Sequence, residues 1–160
     1  TISVIADTSS SIEPLFALAM RRENVLNNET LSEINPLFVN HLKQKGLFSE
    51  SILKEVTHSG SISHSDLSDT VKQLFKTAME IEPIWHLKHQ LAFQKYTDNA
   101  VSKTINLPQN ATVKDISDIY LYAWKHKAKG ITVYRYGSKD SQVLYSGLNE
   151  ESGACTICRT

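Results

Sequence analysis

The stretch 94–108, which reads QKYTDNAVSKTINLP, changes from a helical to an extended pattern over a few residues. Before and into it, apolar or aromatic residues recur at roughly helical spacing, namely Ile84, Leu87, Leu91 and Tyr96. From Val101 onward β-branched and apolar residues dominate, and Pro108 ends the pattern because it has no N–H to give to a strand ladder. We therefore predict a helix, a short polar bend and a strand whose inner side carries Ser102, Thr104 and Asn106. Such an αβ unit is how α/β barrels place small hydrogen-bonding groups at their mouths.

Start and stop signals place further helices along the chain. We predict one from Asn35-Pro36 to Gly46, one capped by Ser49 or Ser51, one from Asp66 with Leu67, Val71, Leu74, Phe75 and Ala78 on its apolar face, and one from Thr112 to Lys129-Gly130. The first of these is expected to bury Leu37 together with Phe38 and Leu42. A buried helical turn is expected at 15–19, a surface loop at 58–64, a strand at 131–136 and a return strand at 142–145.

Composition excludes several classes of function. The chain has 160 residues, 17 of them basic and 17 acidic, and a formal net charge of zero. Balanced charge gives no electrostatic footprint for nucleic acid and no basic block for an anionic membrane. There is no 18-residue apolar run and no charged leader followed by an apolar core. We therefore expect a cytoplasmic α/β protein that binds neither nucleic acid nor a membrane.

Two segments could carry chemistry on the strength of their residue types. Backbone N–H groups and hydroxyls in the Ser/Thr-rich amino end can collect around a phosphate, although such loops are usually solvated turns. Cys155 and Cys158 are spaced so that one thiol can resolve a mixed disulfide formed by the other. A zinc site would need further ligands, and two plain exposed thiols are the alternative. Residues 146–154 have too little apolar content to pack, so we expect a mobile arm.

Two histidines, His86 and His89, are three residues apart on a predicted helix and could face the same side. A metal site would need a third ligand, and the sequence offers none at a fixed spacing. We therefore interpret both as surface or packing residues and predict no metal site.

Three runs of sequence resemble one protein family. They are KYTDNAVSKTINLP at 95–108, TISVIADTSSSIEP at 1–14 and GITVYR at 130–135. The runs are similar to coenzyme-B12-dependent ribonucleotide reductases, and they span nearly the whole chain. The resemblance implies an α/β fold in which residues 1–145 form the carboxyl-terminal portion of the ten-stranded catalytic barrel and residues 146–160 form a flexible redox-active tail. Ser11 stands where the family usually has Gly, so a positive φ there would strain it modestly.

The resemblance also implies a reaction and its participants. Ribonucleotides would be reduced to 2′-deoxyribonucleotides through a thiyl radical that is initiated by cobalt–carbon homolysis of adenosylcobalamin. Thr1, Ile2 and Ser3 would contact the substrate phosphates, and Lys103, Thr104 and Asn106 would line the mouth of the barrel. Cys155 and Cys158 would carry reducing equivalents from thioredoxin or glutaredoxin to the active site.

The radical Cys, the essential Asn and Glu and most of the cobalamin site would lie in an upstream part of the reductase chain. The fragment alone would therefore be inactive, and the complete enzyme is expected to be a homo-oligomer. The resemblance implies that the start at Thr1 falls inside the family's phosphate loop. Such a start would result from intein removal, from a split gene or from an incomplete sequence. Val133 breaks the pair of adjacent tyrosines that reductases with a separate di-iron subunit carry on this strand. That reductase type and a catalytically inactive helical or redox module are the alternatives.

Overall fold

The computed structural model describes residues 5, 8–25, 29–138 and 144–148, in two compact units. The first unit contains Thr1–Pro14 and Ala78–Ser138, and the second contains Leu15–Thr77 and Lys139–Thr160. In the described part of the chain no helix is long and apolar enough to cross a membrane.

Among its described residues, the second unit has a three-stranded antiparallel sheet and three helices. Strands β1 (Ala19–Val25) and β2 (Glu29–Ile34) pair with each other, and β5 (Leu144–Ser146) adds to the free side of β1, so the order is β2-β1-β5. Helices α1 (Pro36–Gln44), α2 (Glu50–Ser59) and α3 (Asp69–Leu74) follow β2. Their buried side chains form one core together with the residues that lead into β1. This core contains Leu18, Phe38, Leu42, Val56, Ile62 and Val71.

Local signals correctly predicted where α1 and α2 begin and where α1 ends. The Asn35 side chain accepts a hydrogen bond from the Phe38 N–H at 3.0 Å, and Ser49 accepts one from the Ile52 N–H at 3.3 Å. Each cap satisfies an N–H group that the first helical turn leaves without a partner. Gly46 follows α1 with φ of 66°, the left-handed conformation that glycine adopts without strain. The predicted caps of α1 and α2 are therefore confirmed.

Several other predictions for this unit are wrong. The helical turn expected at 15–19 is instead an irregular approach to β1, with bends at Phe16 and Leu18. Leu37 is exposed, and the expected surface loop contains the buried Gly60, Ser61 and Ile62. Gly60 caps α2 in the left-handed region, and an added Cβ there would lie 2.9 Å from the Ala19 carbonyl oxygen, so this segment is closely packed against β1. The helix from Asp66 is limited to α3.

The first unit contains a parallel strand pair flanked by two helices. A short 3₁₀ turn (Ala78–Glu80) leads into α4 (Pro83–Gln94), which is followed by β3 (Thr104–Leu107), α5 (Val113–Lys125) and β4 (Thr132–Arg135). β3 and β4 are parallel, with α5 as the crossover helix between them. Leu87, Ile105, Ile119 and Ala123 form the core. The predicted helix-to-strand change, the helix start at Thr112 and the α/β class are confirmed. Ser102, however, lies before β3, and α5 ends at Lys125 and not at Lys129-Gly130.

The return strand predicted after β4 exists as β5, but it pairs with β1 of the second unit's sheet and not with β4. β5 also extends past residue 145, the proposed end of the barrel fragment, and the described chain continues to Leu148, whose N–H donates to the Thr57 carbonyl at 2.7 Å. The boundary between a barrel fragment and a mobile tail remains a prediction.

Candidate functional site

A tight turn leads into the candidate site in the first unit. The Glu13 N–H donates to the Ser10 carbonyl at 3.0 Å, so residues 10–13 form a β-turn. Ser11, its second residue, has φ of 54°, as in a type II′ turn, where glycine is preferred at that position. Ser11 therefore has the positive φ at which a non-glycine residue is modestly strained. The turn fixes the direction in which Glu13 leaves the loop.

The Glu13 carboxylate holds the beginning of β3. Its Oε2 lies 2.5 Å from Lys103 Nζ, and its Oε1 accepts the Thr104 N–H at 2.5 Å. The Lys103 side chain is only 1% exposed, so its charge is neutralised by a single carboxylate that is itself 26% exposed. Because the first residue of β3 and the residue just before it bind the same carboxylate, Glu13 joins the amino-terminal loop to the strand.

A buried histidine lies beside this ion pair. His86 Nε2 is 2.9 Å from the Ala78 carbonyl oxygen, which can only accept, so this nitrogen donates and the neutral ring leaves Nδ1 as an acceptor. Burial lowers the pKa of His86 below its ordinary value, and the positive charge of Lys103 lowers it further, against the opposing effects of the Ala78 hydrogen bond and of Glu13. Nδ1 is buried and has no hydrogen-bond partner. His86 is therefore a neutral packing residue, as expected.

An open cleft of about 550 Å³ runs along α4 next to these groups. Its lining includes Ile12, Glu13, Ile81, Trp85, His86 and Lys103. At its edge the Lys88 ammonium lies 4.2 Å from the centre of the Trp85 ring, a cation–π contact. His89 also lines this cleft, but it is exposed and packs edge-on against Phe93 at 5.2 Å, whereas His86 is buried.

The β3–β4 pair brings predicted polar residues into register. Asn106 is paired with Tyr134, and Thr104 with Thr132. Since side chains alternate along a strand, Thr104, Asn106 and Tyr134 belong to one face, and Ile105 and Val133 belong to the other. Val133 packs against the core that contains Ile105, so the position that breaks the tyrosine pair points away from the polar face.

Two glutamines of α4 hold the entries to these strands, and the sequence analysis missed both. The fully buried Gln90 donates from Nε2 to the carbonyl oxygens of Val101 at 2.9 Å and Gly130 at 2.8 Å. Gln94 accepts the Val101 N–H at 3.2 Å and donates to the carbonyls of Thr97 and Asn99. The only signal in the sequence was a pair of glutamines four residues apart on one helix.

The structure brings together part of the predicted site. Thr104 and Asn106 lie on one face of β3, next to Tyr134 of β4, whereas the Lys103 ammonium is bound to Glu13. Thr1, Ile2 and Ser3 lie outside the described residues, as do Cys155 and Cys158, so their roles remain predictions.

Comparison with known proteins identifies the family. A family model described as "Ribonucleotide reductase, barrel domain" matches residues 1–134. The chain therefore belongs to the ribonucleotide reductase barrel-domain family, as the sequence runs indicated. The vitamin B12-dependent ribonucleoside-diphosphate reductase of Thermoplasma acidophilum is 47% identical over 94% of this chain and 19% of its own length. A protein of the same name from Mycobacterium tuberculosis is 46% identical over 97% of this chain and 24% of its own length.

A solved structure agrees with this assignment. The alpha subunit of the Actinobacillus ureae class Id ribonucleotide reductase superposes with a TM-score of 0.66 and 28% identity, over 82% of this chain and 24% of that subunit. The α/β fold is thus that of a reductase barrel, and the resemblance to the B12-dependent relatives is confirmed. The chain spans about a fifth to a quarter of the length of these proteins.

Proposed function

We propose that this chain is the carboxyl-terminal fragment of an adenosylcobalamin-dependent ribonucleotide reductase. The observation that carries the proposal is the 46–47% identity to vitamin B12-dependent reductases over 94–97% of the chain. The di-iron alternative is less favoured, because Val133 stands where the first of the two adjacent tyrosines would be needed.

The proposed reaction replaces the 2′-hydroxyl of the ribose by hydrogen. The hydroxyl leaves as water, a C–H bond forms in its place, and two thiols supply two electrons and two protons and become a disulfide. Thr1, Ile2 and Ser3 would bind the substrate phosphates, while Thr104 and Asn106 would present hydrogen-bonding groups from the polar face of β3. Glu13 and Lys103 would position that face.

Cys155 and Cys158 would then re-reduce the active-site disulfide and be re-reduced in turn by thioredoxin or glutaredoxin. Two cysteines separated by two residues can form and release a mixed disulfide with each partner in sequence. The working enzyme would be a cytoplasmic homo-oligomer.

The cofactor's binding groups would come mainly from the rest of the polypeptide. The described residues contain no cluster of three or more His, Cys, Asp or Glu side chains able to hold a metal ion. The buried imidazole beside the cleft is already bound to the Ala78 carbonyl. The described residues alone therefore do not define a site for the cofactor.

A chimera tests the proposal. This chain would replace the matched 19% of the Thermoplasma acidophilum reductase, and deoxynucleotide formation would be measured with and without adenosylcobalamin. We expect cofactor-dependent turnover that is abolished by Asn106→Ala and retained by Asn110→Ala, an exposed asparagine beyond the strand. A correctly folded chimera that makes no deoxynucleotide would contradict the proposal and support the inactive-module alternative.

A further inference from the structure

Helix α5 has three different faces around its circumference. One face contains Ile119 and Ala123, which are buried in the core of the first unit. A second carries charged residues, including Lys114 and Asp118, whose side chains pair at 2.5 Å. Between them lies a face that we call the outer stripe, formed by the exposed apolar or aromatic residues Val113, Tyr120, Leu121 and Trp124.

The outer stripe is well exposed, and the exposed Ser117 lies between Val113 and its other three members. Its members are spaced by seven, eight and eleven residues from Val113, so they share one side of a helix with 3.6 residues per turn. Val113 is 85% exposed and Trp124 is 75% exposed, while Tyr120 and Leu121 are about half exposed. A surface helix normally has a single apolar stripe that faces its own core, so a second stripe indicates a second packing partner.

The direction of the outer stripe indicates what kind of partner fits it. At about 100° per residue, the stripe lies about a third of a turn from the face that contains Ile119 and Ala123. A partner there would lie beside α5 and not on top of it. Side-by-side contact along three turns is the geometry of helix-on-helix packing.

The rest of a reductase polypeptide is the occupant that the observations favour. The chain spans only about a fifth to a quarter of its relatives, so most of the family's polypeptide lies outside it. In addition, β3 and β4 form a two-stranded parallel sheet among the described residues, whereas parallel sheets are normally larger and covered on both faces. The elements that complete this sheet would also bring helices next to α5.

Charge adds a chemical requirement for the partner. The carboxyl end of α5 and the turn after it carry Lys125, Lys127 and Lys129. The free carbonyl groups at this end of the helix carry partial negative charge, which favours positively charged side chains there. A partner helix should therefore have an apolar face for the outer stripe and acidic side chains near these lysines.

We propose that the outer stripe of α5 is the docking surface for an amphipathic, acidic-ended helix from the rest of the reductase polypeptide. This inference rests on the proposed function, because it assumes that a larger reductase is assembled. It assigns the assembly contact to Val113, Tyr120, Leu121 and Trp124.

Hydroxyl-radical footprinting tests the contact at Trp124. The oxidation rate of the Trp124 peptide would be measured by mass spectrometry in the free chain and in the Thermoplasma acidophilum chimera, normalised to an added reference peptide. We expect a several-fold drop in the chimera, because the indole passes from exposed to buried. Trp124→Glu should reduce the thermal stability of the chimera much more than that of the free chain, and Tyr96→Glu, at an exposed site off the stripe, is the matched control.

The outcomes separate this inference from the proposed function. An active chimera in which Trp124 stays as reactive as in the free chain would overturn only the docking surface. A protected Trp124 in an inactive chimera would support the surface and overturn the proposed function, while an exposed Trp124 in an inactive chimera would overturn both. If the free chain already protects Trp124 and sediments as a dimer, the occupant is a second copy and the inference is wrong.

Discussion

The ion pair of Glu13 and Lys103 links two points 90 residues apart in the sequence, and it gives a prediction at the scale of single residues. Glu13→Gln should keep an oxygen for the Thr104 N–H but leave the buried ammonium without its counter-charge. Removing one partner of a buried pair leaves an uncompensated charge, so we expect a loss of about 3 kcal/mol in the free energy of unfolding. Urea unfolding of the two proteins measures it.

Two further variants distinguish charge from packing. Lys103→Met keeps the apolar stem, and the double variant Glu13→Gln/Lys103→Met should recover most of the stability lost in the single Gln variant. Lys114→Met removes a solvent-exposed pair and should have no measurable effect. If Glu13→Gln were as stable as Lys114→Met, the pair would not hold β3.

His86 gives a prediction about pH. Its pKa in the folded chain is lowered from the ordinary 6.5, so between the folded and ordinary values the unfolded chain binds more protons than the folded chain. The stability that depends on neutral His86 is therefore fully present above about pH 6.5 and is lost as the pH falls below it. We expect His86→Gln to show a smaller fall in unfolding free energy from neutral to acid pH than the unmodified chain. The exposed His89→Gln should retain the full fall, and identical slopes in all three would contradict this role.

At the scale of elements, Gln90 ties α4 to the residues just ahead of both β3 and β4. Gln90→Met preserves side-chain length but leaves the carbonyls of Val101 and Gly130 without this donor. Because two buried acceptors lose their donor, we expect the free energy of unfolding to fall by about 2–3 kcal/mol. The fall is somewhat smaller because the substitution also removes Gln90 Oε1, a buried acceptor without a partner. Equilibrium unfolding tests the cost, and hydrogen exchange should speed up in β3 and β4. Gln73→Met, at an exposed helical glutamine, should leave the free energy of unfolding unchanged. Equal stability of the two variants would show that the Gln90 hydrogen bonds do not stabilise β3 and β4.

Sequence signals correctly predicted the helix ends that are stabilised by hydrogen bonds between residues close in the sequence. The caps at Asn35, Ser49 and Thr112 each join a side chain to an N–H three residues away, so the sequence around them is sufficient. β1 was missed because its AMRRENV sequence contains good helix formers, and its strand conformation depends on pairing with β2 and with the distant β5. Long-range pairing overrides propensity here.

The predicted length of the helix from Asp66 failed for a related reason. Its apolar spacing continues through Phe75, but that residue has φ of −108° and ends α3. The Phe75 ring packs edge-on against Phe38 at 5.1 Å, and this tertiary contact outweighs the helical pattern. Periodicity shows which residues are apolar, but it does not show where packing will interrupt a helix.

At the scale of the whole molecule, the family could be inferred from the sequence because three separate runs carry it. The ion pair between Glu13 and Lys103 could not be inferred from the sequence, because the chain leaves the first unit after Pro14 and returns to it only at Ala78. No local pattern indicates that a loop residue will contact a strand from which it is separated in the sequence by the residues of another unit. The same interleaving explains why β5 was expected beside β4 and is found beside β1.

The cysteine pair gives the last prediction, which concerns the complete enzyme. In the chimera, replacing Cys155 and Cys158 by Ser should abolish turnover driven by thioredoxin and leave turnover driven by dithiothreitol largely intact. A protein reductant cannot enter the barrel and needs a carrier thiol pair, whereas a small dithiol can reach the active-site disulfide directly. Thr156→Ala, between the two cysteines, should preserve both activities. Equal loss with both reductants would instead make the pair part of the catalytic centre or of the fold, and a shuttle role would no longer be tenable.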